Sequence, residues 1–508
     1  MAAVVAPLPA GAPRPLHGPQ PGRLRVGIVA DSALQPRWVL EAFERVARSD
    51  FAEIAQLVVR ERACTLLKRL EGWALGSDAC VLQDLTRLRI EPAEAKDLDV
   101  IFALGEVDDS GLDGIARYGV WRFCADGVRE VLAGDPVSMS GIKVRLRAGA
   151  VPRLAYQSYS RTFPFSVARN REPLLRKTAE FAFRALQELH RSGVEWLEQC
   201  PAFEERVFQP SSLLGFGKKF IQRTIEKATT VDQWFLAWKF GESRFGSFPE
   251  LAPDLAGFTR LMPPKDRYWA DPFPLEKNGR WYVFFEELPF AAGKAHISMI
   301  EVKPDGSSSR PQRVLERDYH LSYPFLVEHD GALYMIPESA RNGTVEAWRC
   351  VDFPLRWKFE RVLLDGVRCV DATPYRGEDR WWLFANLASG GTRVFDDELH
   401  LFHAADLLGD WKPHPRNPVK SDVRGARPAG RLYWRGGALY RPAQVCTPRY
   451  GAGLSLNRVL RLTPRDYAER QVEVVLPSAE AGLLGLHTVN RAGALTVVDA
   501  FARRGKLY

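Results

Sequence analysis

Five segments of this chain share one plan, and that repetition limits its fold more than any other feature. They read DPFPLEKNGRWYVFFE (271–286), YPFLVEHDGALYMIPE (323–338), DATPYRGEDRWWLFAN (371–386), AGRLYWRGGALYRPAQ (429–444) and LGLHTVNRAGALTVVD (484–499). Each is an apolar strand, a polar two-residue turn and a second, mostly apolar strand. Asn278-Gly279, Asp330-Gly331 and Gly436-Gly437 are the pairs that tight hairpins favour, because both turn positions need positive φ. Successive copies begin 52, 48, 58 and 55 residues apart, which leaves room for two further strands each. The segments 345–357 and 399–411 are such strands, and they align with each other at Trp357 and Trp411. The spacing therefore predicts a five-bladed β-propeller over 232–508. A β-sandwich also uses hairpins, but it does not require five in phase. The fifth copy ends near the end of the sequence, so its outer strands are expected from 232–262, closing the ring.

The hairpins also predict where the chemistry sits. A regular two-residue turn pairs Asp271 with Glu286, Tyr323 with Glu338, Asp371 with Asn386, Ala429 with Gln444, and Leu484 with Asp499. Paired side chains share a face, and the open ends of all five hairpins reach one rim. The acids Asp271, Glu286, Glu338, Asp371 and Asp499 then form a funnel. Grouped carboxylates raise one another's pKa and separate into an acid and a base. That is the requirement of glycoside cleavage, with carboxyls about 5 Å apart for retention and about 6.5–9.5 Å for inversion. Asp271, Glu338, Asp371 and Glu286 are the catalytic candidates; Arg267, Trp269, Tyr323, Asn386, Gln444, His487 and Asp499 are the candidates for contacting substrate. Trp381 is a further face for sugar stacking, although most aromatics should pack blade against blade. The plainer reading is that single acids cap backbone groups or pair with Arg267, Arg341, Arg427 or Arg441.

The region before the repeats is built differently. LRVGIVAD (24–31), 53–60 and 98–104 read as buried strands, and 38–49 as a helix with Val39, Leu40, Phe43 and Val46 on one face. This alternation predicts an α/β domain over 23–150. Residues 1–22, rich in Ala, Pro and Gly, read as a flexible leader. A connector over 151–231 is expected to hold one long amphipathic helix at 172–198, with Leu175, Ala179, Phe183, Leu186 and Leu189 on one face. It should also hold a second helix at 212–228 carrying Lys218, Lys219, Arg223 and Lys227, either packed or seeking an anionic lipid surface. No GxGxxG follows the first strand, and no apolar run is long enough for a transmembrane helix. Seven cysteines without metal spacing fit a reduced, cytoplasmic chain with no metal. A formal net charge of +8 in 508 residues is too mild to imply nucleic-acid binding.

Two resemblances add to this. The run DVIFALGEVDDSGLDGIARYGVWRF with LAGDPVSMSGIKV resembles the N-terminal, Rossmann-like domain of the formyltransferase family. That family carries an Asn-x-His segment and a downstream Asp; here Arg122 and Cys124 occupy the first two positions, and no Asp follows between Asp135 and Asp232. The resemblance therefore implies a retained fold with lost chemistry and no tetrahydrofolate cofactor. RYWADPFPLEKNGRWYVFFEE and LHLFHAADLLGDWKPHPRNPV resemble the five-bladed arabinanase, xylosidase and invertase glycosidases. They also resemble the N-terminal domain of the glucosamine inositolphosphorylceramide transferase family and its bacterial relatives. The glycosidase likeness implies Asp271 as base or nucleophile, Asp371 as the residue tuning the acid, and Glu338, then Glu286, as the acid.

These readings converge on a carbohydrate-active protein of polysaccharide or glycolipid metabolism. The residues leave open whether it cleaves or transfers glycosides or only binds them. The alternative is a non-catalytic scaffold for glycan biosynthesis; third is a sugar-nucleotide N-formyltransferase. The expected partners are a sugar, glycan or nucleotide-sugar ligand, with a membrane surface or glycan-biosynthesis proteins beside it.

Overall fold

The computed structural model describes residues 22–60, 78–88, 97–109, 111–208, 226, 229–241, 253–388 and 390–505. It divides into two compact units, Met1–Ser211 with Ser389–Arg393, and Ser212–Ala388 with Val394–Tyr508. The leader and most of the basic helix expected at 212–228 lie outside the described residues. No described helix is long and apolar enough to cross a membrane, and none of the six described cysteines is in a disulfide.

The first unit is α/β. Its strands are β1 (Leu24–Ala30), β2 (Leu34–Pro36), β3 (Ala52–Val59), β4 (Leu82–Asp84), β5 (Val100–Leu104), β6 (Val120–Ala125), β7 (Val137–Arg145) and β8 (Arg153–Arg161). Six of them form one sheet in the order β3-β1-β5-β6-β7-β8, while β2 and β4 make a separate ribbon. β3, β1, β5 and β6 run parallel, and β7 and β8 return antiparallel. Helix α1 (Arg37–Ala47) buries Trp38, Val39, Leu40, Phe43 and Val46, so its apolar stripe faces the sheet as expected. α2 (Arg129–Ala133) is a short turn between β6 and β7.

The connector is corrected in two ways. β8 continues the sheet, and α3 (Val167–Thr178) and α4 (Phe181–Gln199) contribute Leu175, Phe181, Leu186 and Leu189 to the same hydrophobic cluster as Val26 and Phe43. Residues up to Gln199 therefore belong to the first unit, because their apolar faces need that core. The single helix at 172–198 is also broken twice, between Thr178 and Phe181 and again at Gly193, where φ of 70° and ψ of −167° kink the second helix. The first begins earlier, where the Ser166 hydroxyl accepts the Arg169 N–H at 3.2 Å. It ends where the Thr178 hydroxyl donates back to the Leu174 carbonyl at 2.8 Å, a bond that bends helices.

The second unit is a five-bladed β-propeller. Blades 1 to 4 are sheets of consecutive strands beginning at Arg267, Ser322, Cys369 and Tyr433. The fifth is composite: Leu483–Ala492 and Leu495–Gly505 supply the inner strands, and Thr230–Phe240 and Thr259–Leu261 the outer ones. The eleven-residue pairing from Leu495↔Phe240 to Gly505↔Thr230 closes the ring. Blades pack through their aromatics. Trp357 of blade 2 meets Phe284 of blade 1 edge-on at 5.7 Å.

The expected hairpin register fails at one repeated place. Pairing from the turn runs regularly to Phe273↔Phe284, Phe325↔Ile336 and Thr373↔Phe384, then slips. Beyond the slip, Ala270, Ser322 and Val370 face Glu286, Glu338 and Asn386. The residues expected there, Asp271, Tyr323 and Asp371, lie instead in a β-bulge. Pro272 and Pro324 follow the first two, and a proline cannot donate to the ladder. In blade 4, Pro428 rather than Ala429 bridges the opposing strand, and its partner is Ala443 rather than Gln444. The last hairpin turns at Gly493-Ala494, so Leu484 never meets Asp499; a bulge at His487-Thr488 does.

Candidate functional site

The bulges build the site. Asp271, Tyr323 and Asp371 have φ of 53°, 44° and 53°, a left-handed conformation that non-glycine residues avoid. Such a bulge re-aims the side chain it carries. Four of the five blades thus carry one residue in a bulge at this position, Asp271, Tyr323, Asp371 and His487, although His487 lacks the positive φ of the other three.

Asp271 and His487 form one buried cluster. The Asp271 carboxylate accepts the Thr488 hydroxyl at 2.7 Å and the Tyr323 N–H at 3.2 Å. His487 Nε2 lies 3.3 Å from Asp271, and Nδ1 lies 2.7 Å from Asp499. Burial alone would lower the imidazolium pKa, but the charges of Asp499 and Asp271 overcome it and hold the ring at about 9. Trp234 covers that ring at 4.0 Å and Tyr450 lies 5.3 Å away. Asp499 is fully buried, and its other oxygen accepts the N–H groups of His487 and Thr488 at 3.1 and 2.9 Å. It therefore holds the bulge and is not a rim acid. Asp271, His487 and Asp499 offer ligand atoms within 4.8 Å of one another, the spacing of a cation site. The imidazolium already supplies the positive charge there.

Asp371 belongs to Arg427. It accepts Nε at 2.6 Å and Nη2 at 3.3 Å, and Gln444 Nε2 at 2.9 Å. The same guanidinium lies 3.5 Å from Asp396 and 4.0 Å from Glu338, and over the Tyr450 ring at 4.7 Å. Glu338 is thus at the edge of this network. Its side chain is 14% exposed, against 5% for Asp271 and 2% for Asp371. Burial and then the charge of Asp371 push its carboxyl up to about 8, against the pull of Arg427 and His320. Asp271 is also raised, by burial first, while His487 opposes the rise. Glu286 accepts the Tyr268 hydroxyl at 2.8 Å and lies 3.2 Å from His320 Nε2. Burial would lower His320, but the bond to Glu286 outweighs it and the imidazole is raised.

The structure brings together Asp271, Glu286, Glu338, Asp371, Gln444, His487 and Asp499, and leaves the other candidates outside. Arg267 spends its guanidinium on Asp266 and Glu287, at 2.9 and 2.7 Å. Glu287 follows Glu286 on its strand and so points to the other face. Trp269 is buried against Phe285 at 5.6 Å, and Trp381 against His329 at 5.5 Å. Both are packing residues. Tyr323 is fully buried: its hydroxyl lies 2.9 Å from the Thr373 hydroxyl and accepts the Gly430 N–H at 2.7 Å. Asn386 is buried and donates to the Phe395 carbonyl at 3.1 Å. None of these four presents a face to a ligand.

Sequence reasoning missed His320, Tyr268, Trp234 and Tyr450, and saw Arg427 only as a neutraliser. All five lie outside the repeated segments. The exception in signal is Arg427, which stands just before the one copy that has no rim acid. In the first unit, Arg122 is held by Asp109 and by the Gly105 and Val107 carbonyls, and burial pushes the Cys124 thiol up. Neither is free to polarise a donor or attack one.

Comparison with known proteins bears on the second unit. A family profile described as glucosamine inositolphosphorylceramide transferase 1, N-terminal, matches residues 260–491. Glucosamine inositolphosphorylceramide transferase 1 of Arabidopsis thaliana is 32% identical over 242 residues, 47% of this chain and 31% of that protein. The Oryza sativa subsp. japonica protein of the same name is 32% identical over 216 residues, 42% of this chain and 29% of that one. The matched part thus spans about a third of these relatives' length. Among solved structures, a family 117 glycoside hydrolase of Zobellia galactanivorans aligns with a TM-score of 0.34 at 13% identity, over 54% of this chain and 90% of that one. A GH43 β-xylosidase/α-arabinofuranosidase from a compost microbial metagenome aligns with a TM-score of 0.35 at 13% identity, over 47% and 91%. The sequence likeness ties residues 260–491, within the propeller, to the N-terminal part of the plant transferases.

Proposed function

We propose that the propeller binds a sugar or glycoconjugate in its acidic funnel and acts on the glycosidic bond. The observation that carries this reading is the setting of Glu338, a partly exposed carboxyl 4.0 Å from Arg427 and beside two more deeply buried acids, where burial and the charge of Asp371 favour its protonated form. A carboxyl in that state protonates a leaving oxygen. Asp271 is the facing base or nucleophile. Asp371, fixed by Arg427, tunes Glu338 through its charge. The plant relatives are named as glucosamine inositolphosphorylceramide transferases, so sugars, nucleotide sugars and glycolipid headgroups are the ligands to test first. Calorimetry and hydrolysis assays on the wild type, E338Q and D271N test the reading. Binding with turnover in the wild type and loss of turnover in E338Q support it; no binding across the panel sinks it.

A specific observation favours a second reading, a binding module without catalysis. Asp271 and Asp371 have protein donors on both carboxylate oxygens. Under that reading E338Q binds as the wild type does, and neither turns substrate over.

A further inference from the structure

The first unit holds a cavity of about 290 Å³ that the propeller's function does not use. It opens beyond the carboxyl ends of β1 and β5. The chain leaves β1 for β3 on one side and later returns to β5 on the other. In an open α/β sheet the loops diverge at such a reversal and leave a crevice, which is where ligands settle. Asp31, Gln35, Trp38, Arg122, Phe123 and Arg171 are among its walls.

The two arginines differ. Arg122 is consumed by Asp109 and two backbone carbonyls. Arg171, on α3, makes no hydrogen bond or ion pair with any described group, and its Nε is sealed from solvent without a partner. Its helix neighbours are engaged: Arg176 binds Glu172 at 2.5 Å and Asp78 at 2.9 Å, and Arg169 lies over Phe163 at 5.5 Å. Gly127, with φ of 70°, makes room for the Arg171 stem; a Cβ there would come within 3.2 Å of its Cγ. A half-buried guanidinium without a counter-charge is unfavourable unless an anion joins it.

We propose that this cavity binds a small organic oxyanion, a carboxylate or phosphate ester, with Arg171 on the charged group and Trp38 and Phe123 against the body. Asp31 fixes the orientation. Its oxygens accept Gln35 Nε2 at 3.1 Å and the Glu106 N–H at 3.0 Å, and its charge keeps the anion at the Arg171 end.

Calorimetry on the full chain with phenyl phosphate, benzoate and inorganic phosphate tests this. Saturable binding of phenyl phosphate or benzoate, tighter than inorganic phosphate, is expected, and which of the two binds assigns the anion. R171M should lose at least tenfold in affinity. R171K, which keeps the charge but not the planar fork, should lose several-fold. Binding should also weaken with added salt. The assignment is overturned if neither aromatic probe binds the wild type, if inorganic phosphate binds as tightly as both, or if R171K and a folded R171M bind as the wild type does.

Discussion

Arg427 sits 2.6 Å from Asp371 but 4.0 Å from Glu338. That asymmetry divides two neighbouring carboxyls into an ion-paired anion and a proton carrier. The Coulomb attraction falls with distance and is spent on the nearer acid. The farther acid then feels burial and the negative charge of Asp371 more than the guanidinium. Two acids, one cation and two distances give the separation of roles that acid–base chemistry needs.

The first prediction concerns Glu338 itself. The unfolded chain releases this proton near its ordinary value of 4.5, while the folded chain holds it to about 8. Between those values the folded state binds more protons, so this group's contribution to stability falls as pH rises. E338Q should therefore be more stable than the wild type at pH 8, by about 1–3 kcal/mol, and little different at pH 4. Thermal unfolding of both proteins across that range checks it. Where turnover is measured, the wild-type rate should fall as pH passes about 8, and E338Q should lose at least about a hundredfold.

Asp371→Asn should move the same titration. The substitution removes the negative charge that helps raise Glu338, and it frees Arg427 to turn toward that acid. Both changes lower the Glu338 pKa, so the alkaline limb of a pH–activity or pH–binding profile should shift to lower pH. Leaving a buried guanidinium short of its partner also costs about 3–5 kcal/mol. A variant with full stability and an unmoved profile would contradict the role given to Asp371.

How much of this could be read from the residues? The five hairpins and the borrowed outer strands of blade 5 were legible, because turn chemistry and a 48–58-residue period determine them. The bulge was not. Proline at 272 and 324 marks an interrupted ladder, but a strand pattern does not show on which side of the proline the register slips. The cost was local and consequential: Asp271 and Glu286 no longer pair, and Tyr323 turns inward to bridge blades instead of facing a sugar. The cations were hidden for another reason. His320 and Arg427 precede their hairpins in segments without a repeat, so only the fold shows which acids they meet.

Tyr323→Phe tests that inward turn. The phenol hydroxyl accepts the buried Gly430 N–H and meets Thr373. Its removal leaves a buried donor without a partner, which costs about 1–3 kcal/mol. Stability measured by denaturant titration should fall by that amount, while the affinity for any sugar the funnel binds should stay within about twofold, since a structural hydroxyl adds little to binding. A loss of affinity without a loss of stability would return Tyr323 to the binding surface.

His487→Gln should separate the propeller's central ion cluster from its acid. In the wild type the ring is held at about 9, above the ordinary histidine value of 6.5. A group with a raised folded pKa stabilises fully below its unfolded value, and that contribution is lost as pH rises through the folded one. Wild-type stability should thus carry a downward slope between about pH 6.5 and 9, and the variant should lack it. At pH 6 the variant leaves Asp499 as a buried carboxylate without its cation, at a cost of about 3–5 kcal/mol. Asp271, already raised by burial, takes up a proton once His487 no longer opposes the rise. Melting temperatures of the two proteins should differ most at pH 6 and converge toward pH 9.5; a constant difference across that range would show that the ring acts by packing under Trp234 and not by its charge.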